Sequence, residues 1–263
     1  MNEVHIVMQG KGGVGKSYVA LHLAQYLKGR DPDTICIDTD PLTPTLSRFS
    51  ALNPRYIAVS DQAEVHLDKF DAMMQLIAEA TSDVIIDTGA STFLPISQYM
   101  LENDVIGMLL GDFGKTVTIH VVINGKTNND LHSTVTCFSA IVAQFPAKVG
   151  LNVWLNEYGG VIKTPDGHWF EELGVYLRHK DRVGAIVKIV NPTTTEMKDI
   201  TAMQNARLTY AEVRQSPEFH LMSKSRLYRT QKAVFEQLDL AAPSWTTGGL
   251  VDAQRSAPDF TER

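Results

Sequence analysis

The sequence holds only two cysteines in 263 residues. Neither Cys36 nor Cys137 has a C-x-x-C partner or a close pair of histidines, so no zinc or iron–sulfur site is expected and both thiols are read as buried and reduced. Long hydrophobic runs are missing as well. No stretch of about eighteen apolar residues occurs, and no basic segment precedes an apolar one at the N-terminus, which leaves no candidate spanning helix or secretory signal. The chain is therefore expected in the cytoplasm, without membrane insertion. Positive charge is in deficit, with 24 Lys and Arg against 30 Asp and Glu, net −6. Such a balance argues against a surface that grips nucleic acid everywhere, while leaving room for a local basic patch. A guanine-reading Asn-Lys-x-Asp run is also absent, which favours ATP over GTP.

What is present begins within the first twenty residues. Gly10-Lys11-Gly12-Gly13-Val14-Gly15-Lys16-Ser17 is an intact phosphate-binding loop. In such a loop the backbone N–H groups from Gly10 to Tyr18 cradle phosphates, Lys16 reaches the β- and γ-phosphates, and the Ser17 hydroxyl is offered to Mg²⁺. Residues 4–8 form an apolar run suited to a buried strand. Val19, Ala20, Leu23, Ala24 and Leu27 follow at helical spacing, so strand, glycine loop and helix come in the required order. Lys11 is surplus to the loop's ordinary work.

Beyond the loop, β-branched and apolar runs at 34–38, 84–87, 105–110, 117–123, 149–155 and 183–190 read as strands. Helical patterns lie between them at 70–80, 96–102, 130–145 and 171–179. The alternation predicts an α/β fold, a doubly wound and mostly parallel sheet flanked by helices in a single domain over 1–243, with ligands beyond the C-terminal strand ends. Two strands end in carboxylates there. Cys36-Ile37-Asp38-Thr39-Asp40-Pro41 closes one and Val84-Ile85-Ile86-Asp87-Thr88-Gly89 the other. Asp87 is placed to hold a Mg²⁺-bound water, because Mg²⁺ prefers oxygen ligands and keeps several of its own waters. Asp40 lies farther out, where it can reach an attacking water or the metal, or else cap the next turn. Asp38 reads as a supporting structural group.

Lys11 to Ser17, Asp38-Thr39-Asp40-Pro41 and the Ile-Ile-Asp87-Thr88 strand end together resemble the deviant Walker-A ATPases of the ParA/MinD group, closely over the first two-fifths of the chain. The resemblance implies a P-loop ATPase that forms a homodimer on binding ATP and Mg²⁺. In it Lys11 reaches across to the partner's phosphates, much as an arginine finger supplied in trans stabilises phosphoryl transfer. Lys11, Lys16 and Asp40 become the catalytic set, and Ser17, Asp40 and Asp87 the metal set. It also places an adenine-contacting asparagine after a late strand, for which Asn156 is the candidate and Asn191 the backup. An asparagine there can equally bond its own turn. Two departures stand out. Gly89-Ala90-Ser91 replaces the proline common after the second aspartate and threonine, so Gly89 offers a flexible backbone N–H to the γ-phosphate. Tyr18 replaces a common threonine, weakening an α-phosphate contact.

A wider likeness runs through Val7-Met8-Gln9-Gly10-Lys11, Val84-Ile85-Ile86-Asp87, Asn152-Val153-Trp154-Leu155-Asn156 and Val234-Phe235-Glu236-Gln237-Leu238-Asp239. There the chain resembles conjugal-transfer proteins of broad-host-range plasmids, which implies conjugation or plasmid-maintenance proteins as partners. Residues 218–241 read as a long helix with Leu227, Val234, Leu238 and Ala241 on one face and Lys224, Arg226, Arg229 and Lys232 around the other. Those cations either contact a phosphate backbone directly or form a solvated face. Residues 244–263 read as a disordered tail. Asp112-Phe113-Gly114 reads as a turn after a strand and His120 as a half-buried strand residue. Three functions remain open: a slow ATPase switch, a ParA-like DNA-positioning ATPase, and a non-hydrolysing nucleotide-bound scaffold.

Overall fold

The computed structural model describes residues 2–60 and 66–246. Strands β1 (Glu3–Met8), β2 (Ile35–Asp38), β3 (Arg55–Tyr56), β4 (Val84–Asp87), β5 (Thr116–Asn124), β6 (Gly150–Asn156) and β7 (Ala185–Ile189) form one sheet in the order β3-β2-β4-β1-β5-β6-β7. Every pairing is parallel. Alternation along the strands sends Ile6, Ile86, Ile119 and Val153 to one face and Val7, Ile85, Val122 and Trp154 to the other, so both faces are apolar and both must be covered.

Helices α2 (Leu67–Glu79), α3 (Phe93–Glu102), α4 (Val105–Gly111) and α5 (Asn128–Gln144) supply residues to the first face. The second is covered by α1 (Lys16–Arg30), α7 (Thr194–Ala206), α8 (Tyr210–Gln215) and α9 (Leu221–Ala241). The short α6 (Gly174–His179) lies between β6 and β7. Strand β1 sits mid-sheet where the chain order reverses, the place where doubly wound sheets take ligands beyond their C-terminal strand ends. Among the described residues no helix is long and apolar enough to cross a membrane.

Several expectations need correction. Residues 105–110 are helix α4, not a strand. Short apolar runs fit either structure, and here Val105, Ile106 and Leu109 are buried while Met108 is exposed, a helical spacing that packs one side only. Asp112-Phe113-Gly114 therefore ends a helix instead of a strand, with Gly114 at φ 59°. The pattern over 171–179 divides into a 3-10 turn at Phe170–Glu172 and helix α6. Helices α7 and α8 each begin at a threonine–glutamate capping box, Thr193 with Glu196 and Thr209 with Glu212, a readable signal that the strand-centred reading passed over.

The tail expected from residue 244 starts too early. Helix α10 (Pro243–Thr246) carries Ser244 and Trp245 into the interior, Trp245 joining the α1/α9 core. Residues 247–263 lie outside the described residues. Cys137 is half-buried rather than buried, and His120 is fully buried instead of half-buried.

Candidate nucleotide site

The loop that joins β1 to α1 needs left-handed backbone at Gly13 (φ 74°) and Gly15 (φ 97°), conformations that glycine adopts without a Cβ penalty. Gly15 is also crowded. A Cβ there would lie 2.2 Å from Asn156 Nδ2. Helix α1 then starts at Lys16 with no acidic side chain in its first turn, leaving its N-terminal N–H groups and positive dipole end beside the loop. Gly10, Gly12 and Gly13 are exposed there, Val14 is buried, and the Tyr18 side chain turns inward to stack edge-on against His22 and Tyr158.

The Lys16 side chain is buried, and its ammonium donates to the Lys11 carbonyl at 3.1 Å, across the mouth of its own loop. Burial lowers its pKa, while the carboxylates of Asp87 and Asp40 partly restore it. Asp87 ends β4 beside Val7 of β1 and Asp38 of β2. Its carboxylate is fully buried, and neither oxygen has a hydrogen-bond partner among the described residues. Burial and the neighbouring Asp38 push its pKa up to about 8 despite the lowering influence of the nearby Ser17 hydroxyl and Lys16. A buried carboxylate without partners is costly, and an oxygen-seeking cation with its waters is the chemistry that satisfies it.

Among the described residues no three of His, Cys, Asp and Glu cluster to cage a metal. One carboxylate plus a hydroxyl beside a phosphate loop instead fits Mg²⁺ carried in with a nucleotide. Ser17 and Asp87 fit that group.

Asp38 is buried and fully engaged, Oδ1 accepting from Asp40 N at 3.1 Å and Oδ2 from Ser47 N at 2.8 Å, the supporting role expected of it. Asp40 does cap the next turn, since its Oδ1 accepts from Leu42 N at 2.9 Å and Thr43 N at 3.0 Å. It also packs directly on Gly89, where a Cβ would come within 2.8 Å of the Asp40 Cγ. The absence of a side chain at Gly89 thus gives Asp40 its place beside the β4 end.

Asn156 is bonded to the loop and to its own turn. It is 3% exposed, its Nδ2 donates to Val14 O at 2.8 Å, and its Oδ1 accepts from Tyr158 N at 3.2 Å. Each end of the amide thus makes one bond, to the phosphate loop and to the turn that follows β6, while Asn191 after β7 is exposed. Asn156→Ala should cost about 1–2 kcal/mol of stability and weaken ATP and GTP alike. Thermal unfolding together with both nucleotide affinities checks this, and loss of ATP preference at unchanged stability would return Asn156 to the base.

Lys11 points away from its own loop. Its ammonium pairs at 3.6 Å with Asp130 Oδ1 in the first turn of α5, both side chains being partly exposed. Asp130 was not expected here. Thr127-x-x-Asp130 is legible as a helix start, and Thr127 does cap Asp130 N, but only the fold sets that turn beside the loop. Cys137, also in α5, accepts from Gly10 N at 3.3 Å.

The CobQ/CobB/MinD/ParA nucleotide binding domain family (CbiA) matches residues 5–225. Two proteins from Escherichia coli, each described as Protein TraL, are similar at 40% and 38% identity over 243 residues, 92% of this chain and 99% of each relative. Among solved structures, the MinD cell division protein of Aquifex aeolicus has 13% identity and a TM-score of 0.46, covering 89% of this chain and 97% of that one. A nucleotide-binding protein of Archaeoglobus fulgidus in complex with ADP has 18% identity and a TM-score of 0.36, covering 78% and 87%. The chain belongs to the CobQ/CobB/MinD/ParA nucleotide-binding family.

Proposed function

We propose that this protein is an Mg²⁺-dependent ATP-binding and hydrolysing switch that dimerises on ATP and acts in plasmid conjugal transfer. The observation that carries it is Asp87, a buried carboxylate without hydrogen-bond partners, set beside an intact phosphate loop. Similarity to the TraL proteins supplies the conjugal setting. In this reading the loop N–H groups and Lys16 bind the triphosphate, Ser17 and Asp87 would hold Mg²⁺, and Asp40 would orient the attacking water. The metal supplies neutralisation of charge on the β/γ-phosphates. Lys11 leaves Asp130 and adds its charge to the phosphates of the partner subunit, while Gly89 N–H senses the γ-phosphate.

The DNA-positioning reading has less support. Arg226 is paired with Asp199, Lys232 with Glu236 at 3.6 Å, and Arg229 acts on Glu196, so the cations of α9 are largely matched by neighbouring acids. Replacing Arg226 and Arg229 together by alanine should leave any duplex-DNA affinity within about twofold at low salt, whereas a steep, salt-dependent loss would favour direct DNA contact. The switch itself is tested by phosphate release. Turnover that needs both ATP and Mg²⁺ and stops in EDTA supports it, and bound ATP that is never cleaved would leave the scaffold reading.

A further inference from the structure

Away from the phosphate loop, toward the N-terminal ends of the central strands, the sheet face under α10 carries a run of buried polar side chains. Trp154 Nε1 donates to His120 Nδ1 at 2.9 Å, and His120 Nε2 lies 3.1 Å from His5 Nδ1. His5 Nε2 in turn stands 3.3 Å from Glu3 Oε2, close enough for an ion pair though not aligned as a hydrogen bond. Both imidazoles are 0% exposed.

The indole can only donate, and this fixes the tautomers in sequence. His120 must accept at Nδ1 and so carries its proton on Nε2, which donates to His5 Nδ1. His5 then carries its proton on Nε2, toward Glu3. With both rings neutral the Trp154–His120 and His120–His5 bonds are both complementary, and the His5 Nε2–H lies toward the Glu3 carboxylate. A second proton on either ring sets N–H against N–H, at Trp154 or between the two histidines.

Trp245 closes this chamber. Its ring lies edge-on to His5 with centroids 4.8 Å apart, and 6.2 Å from His120. We propose that the Trp154–His120–His5–Glu3 chain is a proton-sensitive latch that keeps Trp245 and α10 on the sheet while both rings are neutral and releases them when one ring is charged. Burial, and then the neighbouring His5, hold the His120 pKa well below its ordinary value, the direction an intact chain requires.

Other buried polar groups on this face favour release. Thr116 Oγ1, Thr118 Oγ1, Asn152 Nδ2 and Trp245 Nε1 are buried without hydrogen-bond partners among the described residues, so water reaching this face satisfies polar groups instead of wetting a hydrocarbon surface. The ionisable groups around the pair are few. Strand β1 gives Glu3, and β5 gives only His120 itself. Asp83 before β4 accepts from Glu3 N. From α1, Tyr26 packs 6.1 Å from Trp245 and donates to Asp239 of α9 while accepting from Arg30. The facing residues of β6 and α10, Asn152, Trp154, Ser244 and Trp245, do not ionise in this range.

The test uses the full chain with the exposed Trp169 replaced by phenylalanine, so that Trp245 is the quenchable indole beside the buried Trp154. Iodide quenching and histidine ring ¹⁵N shifts are followed from pH 8 to pH 4.5. The latch predicts both rings as Nε2–H tautomers at pH 8, then a single acid step in which charging of the His120 ring and Trp245 exposure coincide, below the ordinary histidine range. Trp245→Ala, which opens the chamber to water, should move the His120 titration up toward its ordinary value. Trp245 staying protected while either ring titrates, or ring titration unmoved in Trp245→Ala, overturns the proposal.

Discussion

Lys11→Ala should lower ATP turnover about a thousandfold, the scale on which a cation supplied in trans acts on phosphoryl transfer. Its effect on ATP affinity should stay within about threefold, under 1 kcal/mol. The separation follows from where the two lysines sit. Lys16 is buried in the loop, with its ammonium on the Lys11 carbonyl and the Asp87 and Asp40 charges near it, so ground-state phosphate binding falls to Lys16. The Lys11 side chain lies outside, partly exposed and held only by Asp130 at 3.6 Å. An ion pair that open to water is worth well under 1 kcal/mol, so leaving it costs little. Phosphate release and equilibrium ATP binding on the same preparation check both parts. Equal loss of binding and turnover would place Lys11 on its own subunit's phosphates, and unchanged turnover would remove it from the chemistry.

Asp87→Asn should have the second largest effect, with opposite signs in the two states of the protein. Without nucleotide the variant should be more stable at pH 8 by about 2–4 kcal/mol, because it replaces a buried carboxylate that has no hydrogen-bond partner by a neutral side chain of the same shape. The pH dependence has a definite sign. The folded pKa is raised to about 8 from an ordinary value near 3.9, so the folded form binds the proton more tightly than the unfolded chain does. Its stabilising share is complete below about pH 4 and is lost as pH rises toward 8. The advantage of the variant therefore grows across that window, by at most about 1.4 kcal/mol for each pH unit. With Mg²⁺ and ATP the order reverses, since wild type gains a ligand for its carboxylate and the variant does not. Denaturant unfolding at pH 5 and pH 8, with and without Mg²⁺-ATP, reads both effects. A variant less stable than wild type at pH 8 without nucleotide would make Asp87 a structural group.

Much of the site could be read from residue order because a phosphate loop is local. Strand, glycines, lysine, hydroxyl and helix lie within some twenty residues, and Asp87 announces itself as the last residue of an apolar strand. What could not be read depends on distant contacts. Asn156 shows only as a polar residue after a strand, and its bond to the Val14 carbonyl exists because β6 lies two strands from β1 in the sheet. Asp130 and Cys137 meet the loop for the same reason, through α5. The misread run 105–110 shows another limit. Five apolar residues and a glycine carry too little periodicity to choose between strand and helix, and packing decides. Trp245, next to a glycine- and threonine-rich end, was passed over because composition outweighed one large ring that closes the core.

In the proposed function ATP, with Mg²⁺, joins two copies of this chain through Lys11. Mass in solution, measured by light scattering for wild type with ADP, with ATP and with a non-hydrolysable ATP analogue, tests it most directly. The account predicts a monomer with ADP, a lasting dimer with the analogue, and a dimer with ATP that decays to monomer as phosphate appears. One mass under all three conditions would contradict it.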